Sequence, residues 1–125
     1  MEWLSRAQRT LASAALLFDA GDLNGACNRA YYAMFDAARA ALLASDATIE
    51  SEVVKTHSGL ITAFSLQLIK PGLIPAQHGK AFRQVDQIRL IADYSDADIE
   101  PDAAGAAVQK AGEFVAAIAE YLEST

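Results

Sequence analysis

Apolar residues recur at steps of three and four along most of the chain, which is the spacing of one face of an α-helix. The first such run is Leu4, Ala7, Leu11, Ala14, Ala15 and Phe18. No segment alternates between apolar and polar residues for long enough to predict a strand. The pattern therefore predicts an all-α protein.

The composition indicates how such helices would pack. Hydrophobic residues make up 53% of the 125 residues, but aromatic residues only 8%, and much of the difference is alanine. Alanine favours helix and fills little space, so closely packed helices are expected. We predict one domain over residues 1–125, an antiparallel up-and-down bundle of four main helices plus a short extra helix.

Glycine and capping residues predict where the first two helices begin and end. Gly21 should end the first helix, and Asp22 should cap a second helix of about 22 residues. From Ser45 to Glu52 the polarity rises and the apolar spacing lapses. A loop is predicted there.

Prolines divide the second half of the chain. A third helix should begin near Val53 or Thr56 and stop at Lys70-Pro71-Gly72. We predict a connector from Gly72 to Gly79, then a shorter fourth helix, and a last helix that starts at Pro101.

The charge balance excludes some broad functions. Sixteen Asp and Glu against ten Lys and Arg leave a net charge of -6, whereas a general DNA-binding protein needs a basic surface. A local basic site remains compatible with this balance. Residues Met1 to Arg9 lack the apolar core of a signal peptide, and no apolar run reaches the roughly 20 residues that span a bilayer. We predict a cytoplasmic protein without a membrane anchor.

The histidines and the single cysteine do not predict a metal or another cofactor. Cys27 has no second cysteine with which to form a disulfide or a thiolate site. A di-iron bundle needs a Glu three residues before a His, but Val54 and Pro75 stand at those positions before His57 and His78. Glycine-rich phosphate loops are also absent.

The second predicted helix has an apolar face that includes Tyr31, and beside that face it carries a polar stripe. Its members are Asn28, Tyr32, Asp36 and Arg39, with Arg29 beside them. One interpretation is a solvated helix side with a local contact between Asp36 and Arg39. The other is a ligand-binding face.

A second polar group ends the fourth helix. Arg89 interrupts an apolar face, and Asp93 follows one turn later, with Tyr94 beside it. A buried guanidinium needs a partner, so Arg89 and Asp93 form either a structural ion pair or a site for phosphate or carboxylate. His57, at the start of the third helix, is either a cap or packing residue or a group that exchanges protons.

These segments together resemble a known family. Residues Asn28 to Ala38 resemble the RAYYAxFxAA helix of HEPN-domain proteins, in their small stand-alone branch. His57-Ser58-Gly59-Leu60, followed by Phe64, is similar to the third helix of that branch, and Arg89 with Ala92-Asp93-Tyr94 is similar to its RxxADY signature. Residues Ala111 to Val115 fit its closing helix.

The resemblance implies a helical bundle that forms homodimers, often beside a minimal nucleotidyltransferase, in a family that includes metal-independent RNase toxins. In those nucleases an arginine precedes a histidine by four to six intervening residues. This chain departs from the pattern, because Tyr94 stands five residues after Arg89 and no other arginine has a histidine at that distance.

Three functions stay open at this level. The first is a homodimeric module that binds nucleotide or RNA, or a nucleotidyltransferase partner, through Arg29, Tyr32, Asp36, Arg89, Asp93 and Tyr94. The second is a toxin-type RNase of a toxin-antitoxin pair, with Arg89, Tyr94 and His57 as candidate catalytic residues. The third is a structural or regulatory dimer without chemistry.

Overall fold

The computed structural model of the protein describes residues 2–45, 55–95 and 98–124. Within these residues all regular structure is helical, which confirms the predicted all-α bundle. The helices are α1, Glu2–Asp19; α2, Leu23–Ala44; α3, His57–Phe64, which continues as a π-helical turn over Ser65–Ile69; α4, Ala76–Tyr94; and α5, Pro101–Glu123. None of them combines the length and apolar composition that are needed to cross a membrane.

The turn between α1 and α2 has the predicted caps. Gly21 adopts φ +87°, a left-handed conformation that a residue with a Cβ rarely takes. The Asp22 side chain then accepts a 2.9 Å hydrogen bond from the backbone N–H of Gly25. Because this bond satisfies a free amide of the first turn, α2 begins at Leu23.

The third helix starts at one of the two predicted positions. Thr56 accepts a 3.0 Å hydrogen bond from the Gly59 backbone N–H, and α3 begins at the next residue, His57. The alternative start at Val53, and the predicted loop beyond Ser45, lie outside the described residues.

The predicted connector up to Gly79 is wrong, because α4 begins at Ala76, directly after Pro75. Gly79 is therefore a buried position in the first turns of a 19-residue helix. A Cβ built on Gly79 would lie 3.1 Å from Cγ1 of Ile69, so the glycine lets α4 approach the π-helical turn closely. Close packing offsets the low helix propensity that made this glycine resemble a loop residue.

Helix α2 lies at the centre of the bundle and contacts α1, α3, α4 and α5. Seven of its alanines are buried, so neighbouring helices approach it on several sides. In the core, the rings of Phe64, Phe82 and Phe114 pack against one another with centroids 5.1 to 5.8 Å apart. A few large rings between many small side chains thus fill the core.

Candidate functional site

Arg89 is a buried cation on α4, with 4% of its surface exposed. Its two terminal nitrogens meet the carboxylates of Asp86 at 2.8 Å and Asp93 at 3.4 Å, one turn before and one turn after it. We call Asp86, Arg89 and Asp93 the α4 ion cluster. Burial disfavours the Arg89 cation, but the hydrogen bond and charge of Asp86, together with smaller effects of Tyr31 and Tyr32, outweigh burial and raise the Arg89 pKa.

The guanidinium also lies over an aromatic ring of α2. The Cζ atom of Arg89 is 4.5 Å from the centroid of Tyr31. The sequence pattern places Tyr31 on the apolar face of α2 and pairs Arg89 with Asp93 alone. Asp86 could have been found as an acidic residue three positions before Arg89, whereas the contact with Tyr31 depends on how α2 and α4 pack.

The hydroxyl of Tyr31 contacts the third helix. It lies 2.7 Å from Nδ1 of His57, and no other hydrogen-bond partner of this hydroxyl is found among the described residues. Burial, followed by the charge of Asp86, raises the Tyr31 pKa far above its ordinary value, so the phenol stays protonated. Burial and the charge of Arg89 lower the His57 pKa, which favours a neutral imidazole.

The polar stripe of α2 lies against α1 and borders an open cavity of about 360 Å³. We call this cavity the α1–α2 groove. Its lining residues are Arg6, Thr10, Asn28, Arg29, Tyr32, Phe35, Asp36 and Arg39. Three guanidinium groups and one carboxylate therefore converge in a protein whose net charge is -6.

Asp36 shows that the stripe is not a solvated helix side. Only 7% of its surface is exposed, and its Oδ2 lies 3.5 Å from Nε of Arg6 on α1. Arg39 stacks on Trp3 and Phe35, with its Cζ 4.4 and 4.9 Å from the ring centroids. Asp36 thus forms an ion pair with another helix, and the charge of Arg39 on its own helix also acts to lower the Asp36 pKa.

The predicted ligand-binding residues fall into two neighbouring groups. Arg29, Tyr32 and Asp36 line the groove, whereas Arg89 and Asp93 belong to the α4 ion cluster. Asn28 joins the two groups, since it lines the groove and its Nδ2 lies 3.3 and 3.4 Å from the Asp93 carboxylate oxygens.

The remaining candidates are not among the residues that line the groove. Tyr94 is 79% exposed at the end of α4. His57 packs on the rings of Tyr31, Tyr32 and Phe35, at centroid distances of 5.3 to 5.7 Å. His78 is buried elsewhere, with its ring 6.3 Å from Phe114. Among residues 2–45, 55–95 and 98–124, no three His, Cys, Asp or Glu side chains come together as a metal site.

Comparison with known proteins relates the whole chain to one domain type. The model of the HEPN domain matches residues 1–121. A UPF0332 protein of Thermotoga maritima is 31% identical over 97% of this chain and 89% of its own length. A second UPF0332 protein, from Gloeobacter violaceus, is 33% identical over 76% and 71% of the two chains. A protein of Methanocaldococcus jannaschii named "Putative toxin" is 30% identical over 94% and 84%.

Proposed function

The chain belongs to the HEPN family, and from this premise we propose that it is a cytoplasmic homodimeric binding module for nucleotide or RNA. The phosphate of the ligand binds in the α1–α2 groove, and the module pairs with a minimal nucleotidyltransferase. The observation that carries the proposal is the convergence of Arg6, Arg29 and Arg39 around one open cavity in an acidic chain.

Arg29 is the residue that first meets the phosphate. It is exposed at the groove and has no ion-pair or hydrogen-bond partner among the described residues. A guanidinium presents a planar fork of donors that fits two phosphate oxygens. Thr10 and Tyr32 add hydroxyl groups to the same lining, so sugar or phosphate oxygens find further donors there.

The α4 ion cluster is less suited to hold the phosphate. Arg89 is buried and already bound to two carboxylates, so a ligand would have to displace Asp86 from a 2.8 Å contact. We assign this cluster a positioning role. Through Asn28, Asp93 holds the wall of the groove in place.

The outer face of α4 supports the proposed homodimer. Leu90, Ile91 and Tyr94 expose 42%, 47% and 79% of their surfaces close together on the last turns of the helix. Contiguous apolar side chains of this kind are more stable when a partner covers them. Sedimentation velocity of the wild type and of Ile91→Asp tests this part, with a shift toward monomer expected for the variant.

Fluorescence anisotropy with a labelled oligouridylate and with ATP tests the groove. We expect Arg29→Ala to weaken binding about tenfold, since a hydrogen bond to a charged group contributes ~1.5–3 kcal/mol. Lys80→Ala is the matched control, because it removes one cation from the separate cavity between α4 and α5. Equal affinities of the two variants would refute the groove as the binding site. Co-purification with a co-expressed minimal nucleotidyltransferase tests the proposed partner.

A toxin-type RNase is the second candidate, favoured by the position of His57 next to Tyr31 and by the toxin-named relative. We infer, however, that the buried Tyr31 hydroxyl donates a hydrogen bond to Nδ1 of His57, the acceptor found for it among the described residues. Neutral His57 then carries its proton on Nε2, so the other ring nitrogen is a hydrogen-bond donor instead of a base. This geometry favours the binding module over a nuclease that uses His57 as its base.

Growth after expression of the chain alone separates these two candidates. An active RNase arrests growth, and Arg89→Ala or His57→Ala relieves the arrest. The binding module leaves growth unchanged. A structural or regulatory dimer, the third candidate, would bind neither nucleotide nor RNA.

A further inference from the structure

The α1–α2 groove contains its own anion. Asp36 is the one carboxylate in the described lining, and it lowers the formal charge of the four ionic groups there from +3 to +2. Its carboxylate lies 3.5 Å from Arg6, one of the three arginines that line the groove. We propose that Asp36 is a built-in competitor that occupies the place of the ligand phosphate and sets how tightly the groove binds anions.

The contact between Asp36 and Arg6 is loose enough for Arg6 to leave Asp36 and bind a phosphate instead. The distance is 3.5 Å and the Arg6 side chain is 60% exposed, whereas Arg89 holds Asp86 at 2.8 Å with 5% of its side chain exposed. Arg6 can therefore turn to a phosphate in the groove without losing a tight buried bond. The Asp36 side chain, only 11% exposed, stays behind and loses this partner.

Among the described residues, the charged groups that line the groove together with Asp36 are all arginines. Arg6 approaches from α1, and Arg29 and Arg39 come from α2 itself. Arginine stays protonated throughout the physiological range, so Asp36 is the acid whose ionisation changes the charge of the lining. Burial raises the Asp36 pKa above its ordinary value, against the opposite effects of Arg6 and Arg39.

A ligand phosphate strengthens this effect, because it repels the Asp36 carboxylate and withdraws Arg6 from it. Anion binding should therefore be linked to proton uptake by Asp36, and affinity should increase as the pH falls. The inference rests on the proposed function, since it concerns the regulation of the same groove. It also predicts the direction of a mutational effect. Removal of Asp36, an acidic residue inside the site, should increase the affinity of the groove for anions.

The experiment compares wild type, Asp36→Asn and Glu113→Gln by anisotropy with an oligouridylate that lacks terminal phosphates. We expect Asp36→Asn to bind about fivefold to tenfold more tightly, because an opposing charge leaves the site. Glu113→Gln removes the same charge from the cavity between α4 and α5, and its affinity should match the wild type. If Asp36→Asn bound no more tightly than Glu113→Gln, the inference would be overturned.

The wild type alone supplies a second measurement that does not depend on how the variant folds. Phosphodiester charges are constant between about pH 5 and pH 8, so tighter binding at the lower pH reports protonation in the protein. We expect Asp36→Asn to lose this dependence of oligonucleotide affinity on pH. If the affinity of Asp36→Asn changed with pH as much as that of the wild type, Asp36 would not be the group that takes up the proton. If neither wild type nor Asp36→Asn bound the oligonucleotide, the proposed function itself would fail, which is a distinct result.

Discussion

The hydroxyl of Tyr31 lies 2.7 Å from Nδ1 of His57 and connects the central helix α2 to the first residue of α3. Tyr31 is fully buried and Arg89 lies over its ring, so three helices meet at this one side chain. The contact links the two helices, and the direction of its hydrogen bond determines which ring nitrogen of neutral His57 carries the proton.

Tyr31→Phe should keep the ring and its contact with Arg89 but lose the bond to His57. We expect the free energy of unfolding to fall by about 1 kcal/mol, which is typical of one intramolecular hydrogen bond. Urea denaturation measures this change. The matched control is Tyr32→Phe on the adjacent residue, whose hydroxyl has no hydrogen-bond partner among the described residues and whose removal should change little.

Tyr31→Phe should also change which tautomer the neutral His57 ring adopts. Without the Tyr31 hydroxyl as donor, the neutral ring is no longer restricted to the tautomer that carries its proton on Nε2. Nitrogen chemical shifts of the imidazole report the tautomer directly. A wild-type ring with its proton on Nδ1 would contradict the proposed direction of the bond.

His57 should make the protein less stable in acid. Its pKa is lowered in the folded state, so the unfolded chain binds more protons. The contribution of neutral His57 to the free energy of unfolding is fully present above the ordinary histidine pKa of about 6.5. This contribution is lost as the pH falls through the lowered His57 pKa of the folded protein. Urea midpoints measured from neutral to mildly acidic pH should therefore decrease.

His57→Asn isolates this contribution to the pH dependence. The amide oxygen can still accept from the Tyr31 hydroxyl but does not titrate, so the decrease should become smaller. His78 also has a lowered pKa, mainly through burial, and His78→Asn is the parallel variant that separates the two histidines. An identical pH profile for wild type and His57→Asn would mean that His57 is not involved.

Arg89→Ala should destabilise the bundle strongly. It leaves Asp86 and Asp93 without their cation, with 21% and 26% of their side chains exposed, so we expect a loss of about 3 kcal/mol. Thermal unfolding measures the effect. Arg83→Ala, on the same helix but exposed, removes a single hydrogen bond to Ser65 and should cost about 1 kcal/mol or less.

Arg89→Lys separates the positive charge from the fork geometry. It keeps the cation but cannot reach two carboxylates in the same way, so an intermediate stability is expected. If Arg89→Ala were as stable as Arg83→Ala, the α4 ion cluster would have no structural role.

Replacing each of two glycines by alanine should change the free energy of unfolding in opposite directions. Gly21→Ala places a Cβ at φ +87° and should cost about 1–2 kcal/mol, even though no atom lies within 4 Å of that Cβ. Gly112→Ala lies in the interior of α5, also with nothing within 4 Å, and should stabilise the protein by about 0.5–1 kcal/mol. Denaturant midpoints of the two variants test the pair, and the same sign for both would contradict it.

Much of the fold was predictable because helical periodicity and capping are local properties of the chain. Asp22, Thr56 and Pro101 stand at the helix starts where the sequence places them. The start of α4 was missed because Gly79 has a low helix propensity, and only its contact with Ile69 explains why helix is favoured there.

The candidate site was predictable only in part. Helical spacing correctly separates Tyr31, which is buried, from Tyr32, which lines the groove. It also places Arg89 on a buried face that requires a partner. Arg6, in contrast, lies 30 positions before Asp36, and nothing in the local pattern relates them.

The sequence by itself determined the acidic balance, the helices, most of their ends and the residues that face inward, because helix formation and capping depend on neighbours within about one turn. Only the tertiary structure decided that Asp36 meets Arg6, that Tyr31 meets His57, and that the predicted binding residues divide between a groove and an ion cluster. These contacts depend on the rotation and approach of whole helices. Packing of many small side chains sets both, and no single local segment specifies them.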